Sequence, residues 1–240
     1  MSQPPKSASG KSQLVRPRFS PGLLLQDDDL TAVVDYAGDL SRLIFRSLFG
    51  CGVVCGLKVT LHNKGNCQST LQVAPGLALN GCGDPVQLTG VQTIPFDQTE
   101  GKLWVAISRT VTHCQRRETA CSADEDAGDS VTTRLHDGFQ ISLHSGAEAP
   151  EGACACPPLA AGEDAGDPAT EHAKGYARHH AGLCACDCHS ELVVLGLFAN
   201  LAASLAAAAN LDAGVDADHS VRRFVSPAFM RDPLLPADQQ

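Results

Sequence analysis

The sequence predicts a mainly β protein with an N-terminal α-helix, in which an antiparallel β-sandwich or barrel-like domain carries a long Cys/His-rich insert. Apolar residues first recur at helical spacing and then alternate at strand spacing. The predicted strands are separated by short Gly, Asn, Asp and Pro clusters, which leave no room for the helical crossovers of a parallel sheet. Two longer segments interrupt the alternation, and we interpret them as inserts.

Composition divides the 240-residue chain into two tails, a helical segment and one β domain. The N-terminal tail is rich in Pro, Ser, Lys and Gln, which is typical of a flexible segment. The predicted parts are the N-terminal tail 1–15, the N-terminal motif and helix 16–50, the β domain 51–225 with inserts at 114–130 and 145–190, and the C-terminal tail 226–240.

The clearest single element is a helix that begins at three consecutive acids and ends at Gly50. Asp27, Asp28 and Asp29 supply an N-cap and place negative charge at the positive end of the helix dipole. The residue after the last turn is a glycine, the usual helix terminator. We expect an apolar stripe to pack against the core. Its members are Leu30, Val33, Val34, Ala37, Leu40, Leu43, Ile44 and Leu48.

Strands are predicted in six stretches after the helix, with a shorter one near the C-terminus. The stretch Leu192–Ala209 is long and apolar, but it contains Gly196 and Asn200 and much Ala, so we predict a buried strand followed by an Ala-rich turn or short helix, and no membrane span. The predicted strands are Val53–Leu61, Thr70–Val73, Pro85–Val91, Lys102–Val111, Thr132–Leu143, Leu192–Leu201 and a short one around Val221–Val225.

Charge and motif content exclude several classes of function. Asp and Glu number 27 against 18 Lys and Arg, a net charge of −9, which argues against a general nucleic-acid binder. The Arg222-Arg223 pair is interpreted as a surface or interface ion pair. The sequence contains no nucleophile elbow, phosphate-binding loop, dinucleotide fingerprint or His-Glu-x-x-His zinc motif. The first twenty residues contain no apolar run, so we expect no export and reduced thiols, with disulfides the less favoured use of cysteine.

The second insert concentrates cysteine and histidine where no apolar pattern accounts for them. Thiolates are preferred zinc ligands, and two clusters joined by a loop can supply the four donors of a closed structural site. Free thiols and disulfides remain alternatives, because Cys-x-Cys spacing needs a local turn to bring both sulfurs to one ion. The predicted zinc ligands are Cys154, Cys156, Cys184, Cys186, Cys188 and His189.

Other cysteines carry weaker patterns. Cys51 and Cys55 flank a helix-to-strand turn and are interpreted as small buried thiols. Cys114 and Cys121 at a predicted hairpin tip are either a second half-site, a clip or solvated loop thiols.

The N-terminal stretch RPRFSPGLLLQDDDLTAVVDYAGDLSRLIFRSLFGCGVVCGLKV resembles the signature of a structural protein family associated with phage-tail-like contractile injection systems. The resemblance continues through APGLALNGCGDPV, TRLHDGFQI and DHSVRRFV, in the expected order. This chain departs from the family pattern at Leu23 and Leu24, where a Gln is expected after Pro-Gly, and its Cys/His insert is expanded. The matching residues are Arg16, Arg18, Phe19, Pro21, Gly22, Leu25, Asp28, Tyr36, Gly50, Gly52, Val53, Val54, Gly56, Leu57, Val59, Pro75, Gly76, Ala78 and Gly83.

The resemblance implies a non-enzymatic structural or adaptor subunit of a contractile injection particle, associated with the baseplate. Its partners would be other tail or baseplate subunits, and it would occur in the cytoplasm of the producing cell and, after release, on the extracellular particle. The alternative is a cytosolic thiol- or metal-dependent enzyme or redox sensor that uses the same cysteines. A redox protein would contain a rapidly alkylated thiol of low pKa, whereas a structural site would resist alkylation. A third hypothesis is a metal-storage protein, which would bind several ions.

Overall fold

The computed structural model describes residues 14–63, 69–118, 130–155 and 190–225, and within these ranges the protein is mainly β with antiparallel sheets and an N-terminal helix. This confirms the predicted fold class. The helices are α1 (Asp27–Leu48) and α2 (Leu201–Ala208). The strands are β1 (Gly52–Gly56), β2 (Val59–Asn63), β3 (Ser69–Val73), β4 (Gly76–Leu79), β5 (Pro85–Leu88), β6 (Gln92–Phe96), β7 (Leu103–Glu118), β8 (Ser130–Ser145), β9 (Val193–Phe198) and β10 (Val215–Asp216).

The described strands form three antiparallel sheets, with strand orders β1-β4-β5, β10-β2-β3-β6 and β8-β7-β9. The β7–β8 hairpin is the longest pairing, running from Leu103 opposite Ser145 to Glu118 opposite Ser130. The third strand of that sheet, β9, pairs with β7 only as far as Ile107. The outer half of the hairpin is therefore a two-stranded ribbon, and β7 continues past the predicted start of the first insert.

One apolar core receives side chains from all three sheets, including the fully buried Val53, Leu71, Val105 and Leu195. Every residue of β9 is buried, as expected of a strand covered on both faces. The helix α2 follows directly and adds Leu201 to the core. The predicted buried strand with an Ala-rich helix after it is thus confirmed.

The predicted strand Val53–Leu61 is two strands in the structure. Leu57 has a φ of 57° and breaks the extended backbone, so β1 and β2 belong to different sheets. The short strand predicted around Val221–Val225 is wrong, because in this stretch only Phe224 forms a bridge, parallel to Val53. Main-chain hydrogen bonds flank that bridge, from Val53 N to Arg223 O at 2.7 Å and from Val225 N to Val53 O at 3.1 Å.

The interpretation of Arg222 and Arg223 as a surface or interface ion pair is wrong as to the surface location, because both side chains are buried. The Arg222 guanidinium donates to the main-chain carbonyls of Leu195, Gly56 and Leu57. These three carbonyls lie where β1 ends and on β9, and the planar guanidinium reaches all of them at once. Arg222 is therefore a main-chain connector inside the domain.

His219 lies beside this connector and is held as a neutral imidazole. The Val59 N–H donates to its Nε2 at 3.2 Å, so that nitrogen is an acceptor and carries no proton. Burial, reinforced by the nearby Arg222 charge, lowers the pKa of His219 to about 3. The packing around it is close, since a Cβ at Gly196 would lie 3.5 Å from the His219 ring.

Candidate interaction surface

Local sequence accounts for both ends of α1. At the start, the Gln26 N–H donates to the Asp29 carboxylate at 3.0 Å, and the first turn holds three acids. The structure thus places Gln26 at the N-cap, so the prediction that the three acids supply this cap is wrong, and they occupy the first three positions of the helix. At the end, the Gly50 N–H donates to Arg46 O at 3.1 Å, and Gly50 has a φ of 70°. The predicted helix and its terminator are confirmed.

The apolar stripe of α1 does not pack against the core, and this corrects the sequence-based expectation. No residue of the helix is buried. Val34 is 69% exposed and Leu30 is 58% exposed. The other large members of the stripe that are exposed are Val33, Ile44 and Leu48. We call these five residues the α1 apolar face.

The helix is attached to the β domain through its polar side. Arg42 Nε donates to Asp84 Oδ1 at 2.7 Å, and the Asp84 side chain is only 14% exposed. With about 100° of rotation per residue, Arg42 lies about 180° around the helix from Val33 and about 160° from Ile44. Leu30 and Leu48 lie about 120° from Arg42, and Val34 lies about 80° from it. Most of the α1 apolar face is therefore turned away from the domain that holds the helix.

The close approach at this attachment depends on Gly83. Its φ is +89°, and a Cβ there would lie 2.3 Å from the carbonyl oxygen of Arg42. The helix backbone thus rests directly on the turn between β4 and β5. Gly83 belongs to the family-like motif, so the sequence marked this position. Its contact with Arg42 of α1 could not be predicted from residue spacing.

A second arginine ties the same carboxylate to the β7–β8 hairpin. Arg109 donates to Asp84 at 3.3 Å and to Asp137 at 2.5 Å. The carboxylate of Asp84 raises the pKa of Arg42, as does Asp39 at 3.0 Å on the helix. The helix, a turn and the hairpin are therefore joined at one ionic network.

The segment before α1 also exposes large apolar side chains. Leu24 is 83% exposed and Val15 is 79% exposed. The remaining exposed members are Phe19, Leu23 and Leu25. Two of these, Phe19 and Leu25, belong to the family-like motif, whose N-terminal part therefore contributes little to the core.

The predicted zinc ligands are not brought together by the described part of the structure. Cys154 is fully buried and forms a disulfide with Cys51, across 103 residues of sequence and with Cα atoms 6.3 Å apart. The other five, namely Cys156, Cys184, Cys186, Cys188 and His189, lie outside the described residues, and the zinc site on them stays a prediction. No group of three metal-binding side chains occurs within residues 14–63, 69–118, 130–155 and 190–225.

The interpretation of Cys51 and Cys55 as small buried thiols is correct only in part for each residue. Cys51 is buried but oxidised, and Cys55 is exposed. The expectation that disulfides are the less favoured state therefore fails at Cys51 and Cys154, because the fold brings together two cysteines whose distance in sequence gives no hint of contact. Cys114 is a partly exposed thiol, and its predicted companion Cys121 is outside the described ranges.

Cys82 is a partly exposed thiol near the ionic network. Burial and the neighbouring carboxylates of Asp84 and Glu191 raise its pKa. A redox-active thiol needs a lowered pKa, so the environment of Cys82 is the opposite of an activated one.

Comparison with protein-family profiles gave no match, and comparison with curated proteins gave none. Among solved structures, the chain is similar to the crystal structure of TssK, with a TM-score of 0.32 and 10% sequence identity, over 58% of this chain and 36% of that chain. The chain thus spans little more than a third of the length of TssK. Similarity at this level establishes neither a common fold nor a common function. Within the described ranges, no helix has the length and apolar character needed to cross a membrane.

Proposed function

We propose that this protein is a non-enzymatic structural or adaptor subunit of a phage-tail-like contractile injection particle, associated with the baseplate. The observation that carries the proposal is the α1 apolar face, which is exposed on a helix held by its opposite side. A surface of this kind is suited to binding a neighbouring subunit.

The energetics favour covering this face. Burial of apolar surface is worth about 25 cal/mol per Å², and contiguous exposed apolar patches mark interaction sites. The core of the β domain includes no residue of α1 among its described members. The helix is therefore an addition to a core made by other elements, and its apolar residues have no role in that core.

The resemblance of the N-terminal stretch supplies the class of particle. Two of its glycines are accounted for by backbone contacts, since a Cβ at Gly52 would lie 2.3 Å from Arg223 O and one at Gly76 would lie 2.3 Å from Cys55 O. Large apolar residues before and within α1 are exposed, including Leu24, Leu30 and Val34. The motif thus combines positions that the fold requires with positions that are free to bind partners.

In an assembled particle, the partners are other tail or baseplate subunits. The protein is then made in the cytoplasm of the producing cell and leaves it only on the released particle. Its net charge of −9 does not favour nucleic acid as a partner.

The experiment is isolation of the particle from the producing cell, followed by electron microscopy and identification of its subunits. For the double variant Leu30→Gln and Val34→Gln, we expect the amount of this protein found in isolated particles to fall at least tenfold. The matched control is the pair Thr31→Gln and Asp35→Gln, which alters two exposed residues of α1 outside the apolar face and should incorporate normally. Recovery of the chain only as a free species, with no tail-like particle, would overturn the proposal.

We further propose that a structural zinc ion binds within the segment that carries Cys156, Cys184, Cys186, Cys188 and His189. Four thiolates are enough for a closed tetrahedral site without Cys154. Metal analysis of the purified chain should give about one zinc per chain, lost in Cys186→Ser and retained in Cys55→Ser. A metal-free chain whose cysteines in this segment are all freely alkylated would overturn this part of the proposal.

A further inference from the structure

We infer that the α1 apolar face pairs with the same face of a second copy of this chain, with the two helices antiparallel. The inference rests on the proposed function, because it names the partner that covers the same surface. It follows from the heptad spacing of α1, the distribution of its charges and the side by which the helix is attached.

Five apolar residues of α1 occupy core positions of three heptads, and two further members of the α1 apolar face, Val34 and Leu48, lie beside them at position e. The first core position of each heptad, a, is occupied by Leu30, Ala37 and Ile44. The second, d, is occupied by Val33, Leu40 and Ser47. The f position, which lies farthest from an a/d seam, holds Arg42 in the second heptad, and this is the residue that binds Asp84. The β domain therefore contacts the f side of the helix, and the a/d side stays accessible to a partner.

Side-chain sizes favour the antiparallel arrangement. In an antiparallel pair, each a residue faces a d residue of the partner, so Val33 faces Ile44 and Ala37 faces Leu40. Small and large residues then alternate across the seam. In a parallel pair, Ala37 faces Ala37 and leaves a gap in the middle of the seam, which costs packing energy.

Charge favours the same arrangement. The first turn of α1 contains Asp27, Asp28 and Asp29, whereas the last turn contains Arg46. A parallel pair would bring six carboxylates together at one end of the dimer. An antiparallel pair places each acidic end beside the basic end of the partner and opposes the two helix dipoles.

The dimer should be weak. Five partly exposed side chains on one helix cover less than the about 800 Å² per partner of a standard stable interface. We therefore expect a dissociation constant in the micromolar range, and a larger assembly would strengthen the contact by holding copies together.

The test measures the full-length chain by sedimentation from 1 to 200 µM. The single variants Val33→Glu and Ile44→Lys should each raise the dissociation constant at least tenfold. The double variant Val33→Glu with Ile44→Lys should dimerise more tightly than either single variant, because an antiparallel seam places Glu opposite Lys twice. Circular dichroism of each variant verifies that the helix persists, which its exposure leads us to expect.

Three outcomes would overturn the inference. These are a monomeric wild-type chain at 200 µM, a dimer that none of the variants weakens, and a double variant weaker than both single variants, which would indicate parallel helices. A monomer that still enters the particle through Leu30 and Val34 would remove the inference while leaving the proposed function intact.

Discussion

Arg42 on α1 donates to Asp84 in the turn between β4 and β5, with 2.7 Å between Nε and Oδ1. Asp84 also accepts from Arg109 of β7, so one carboxylate orders a helix, a turn and a hairpin. The direction in which α1 presents its apolar face is set by this contact.

Asp84→Asn should loosen the helix from the domain. The change removes the charge while keeping the shape, and we expect a loss of about 1 kcal/mol, at the upper end for surface pairs because Asp84 is largely shielded from solvent. Amide exchange in α1 should become about fivefold faster. The control is Asp137→Asn, which removes a carboxylate from Arg109 but none from the helix. Equal exchange in α1 of all three proteins would contradict the role given to Asp84.

Acidification should destabilise the protein through His219. Its pKa is lowered to about 3 in the folded state, against about 6.5 when unfolded, so between these values the unfolded chain binds a proton that the folded chain does not. Stability from this group is complete above pH 6.5 and is lost as the pH falls. Between pH 7 and pH 5 the loss is about 2 kcal/mol.

Urea unfolding at pH 7 and pH 5 measures this loss, and His219→Gln isolates it from the titration of carboxylates. The Gln side-chain oxygen can still accept from the Val59 N–H, but it does not titrate. The variant should therefore show a smaller difference between the two pH values. An identical difference in both proteins would show that His219 is not the responsible group.

Reduction of the disulfide between Cys51 and Cys154 should lower the free energy of unfolding by about 2–5 kcal/mol. The bond closes a loop of about one hundred residues, so its removal releases much chain entropy in the unfolded state. The double variant Cys51→Ala and Cys154→Ala, measured by urea unfolding, should reproduce the effect of reductant. Cys55→Ser alters an exposed thiol and should leave stability unchanged. A wild-type chain equally stable with and without reductant would contradict this expectation.

Arg222→Met should be among the most damaging single changes. It removes donors from the carbonyls of Leu195, Gly56 and Leu57 and leaves them without this partner in the interior, at a cost on the order of 3 kcal/mol. Arg222→Lys should restore only part of the loss, since an ammonium cannot reproduce the planar fork. Thermal unfolding of both variants measures the difference in stability. A Lys variant as stable as wild type would contradict the need for a planar guanidinium at this position.

Sequence patterns predicted the elements whose side chains repeat clearly and missed those that depend on pairing. The helix, the buried β9 and most of β7 and β8 were evident from apolar periodicity. The strand β6 was missed because it contains Pro95, which an edge strand tolerates but a periodicity search treats as a break. The strand β4 was missed because it is four residues long and begins with Gly76.

The candidate surface was predictable only in part. Spacing showed that α1 has an apolar face, but periodicity does not tell whether the covering surface belongs to the same chain. That answer depended on Arg42 meeting Asp84, 42 residues away. The pairing of Cys51 with Cys154 was equally unpredictable, since no sequence motif links the two cysteines.

The parallel bridge between Val53 and Phe224 has a mechanical consequence. The chain enters β1 just after α1 and leaves the described fold at Val225, so the first and last segments of the β domain lie side by side. Tension between the two ends would slide these segments past each other along their length, loading the bonds from Val53 to Arg223 and Val225 together. Because Cys51 lies two residues before Val53, its disulfide bond would carry part of that pull to Cys154, which forms a bridge to Val193 of β9.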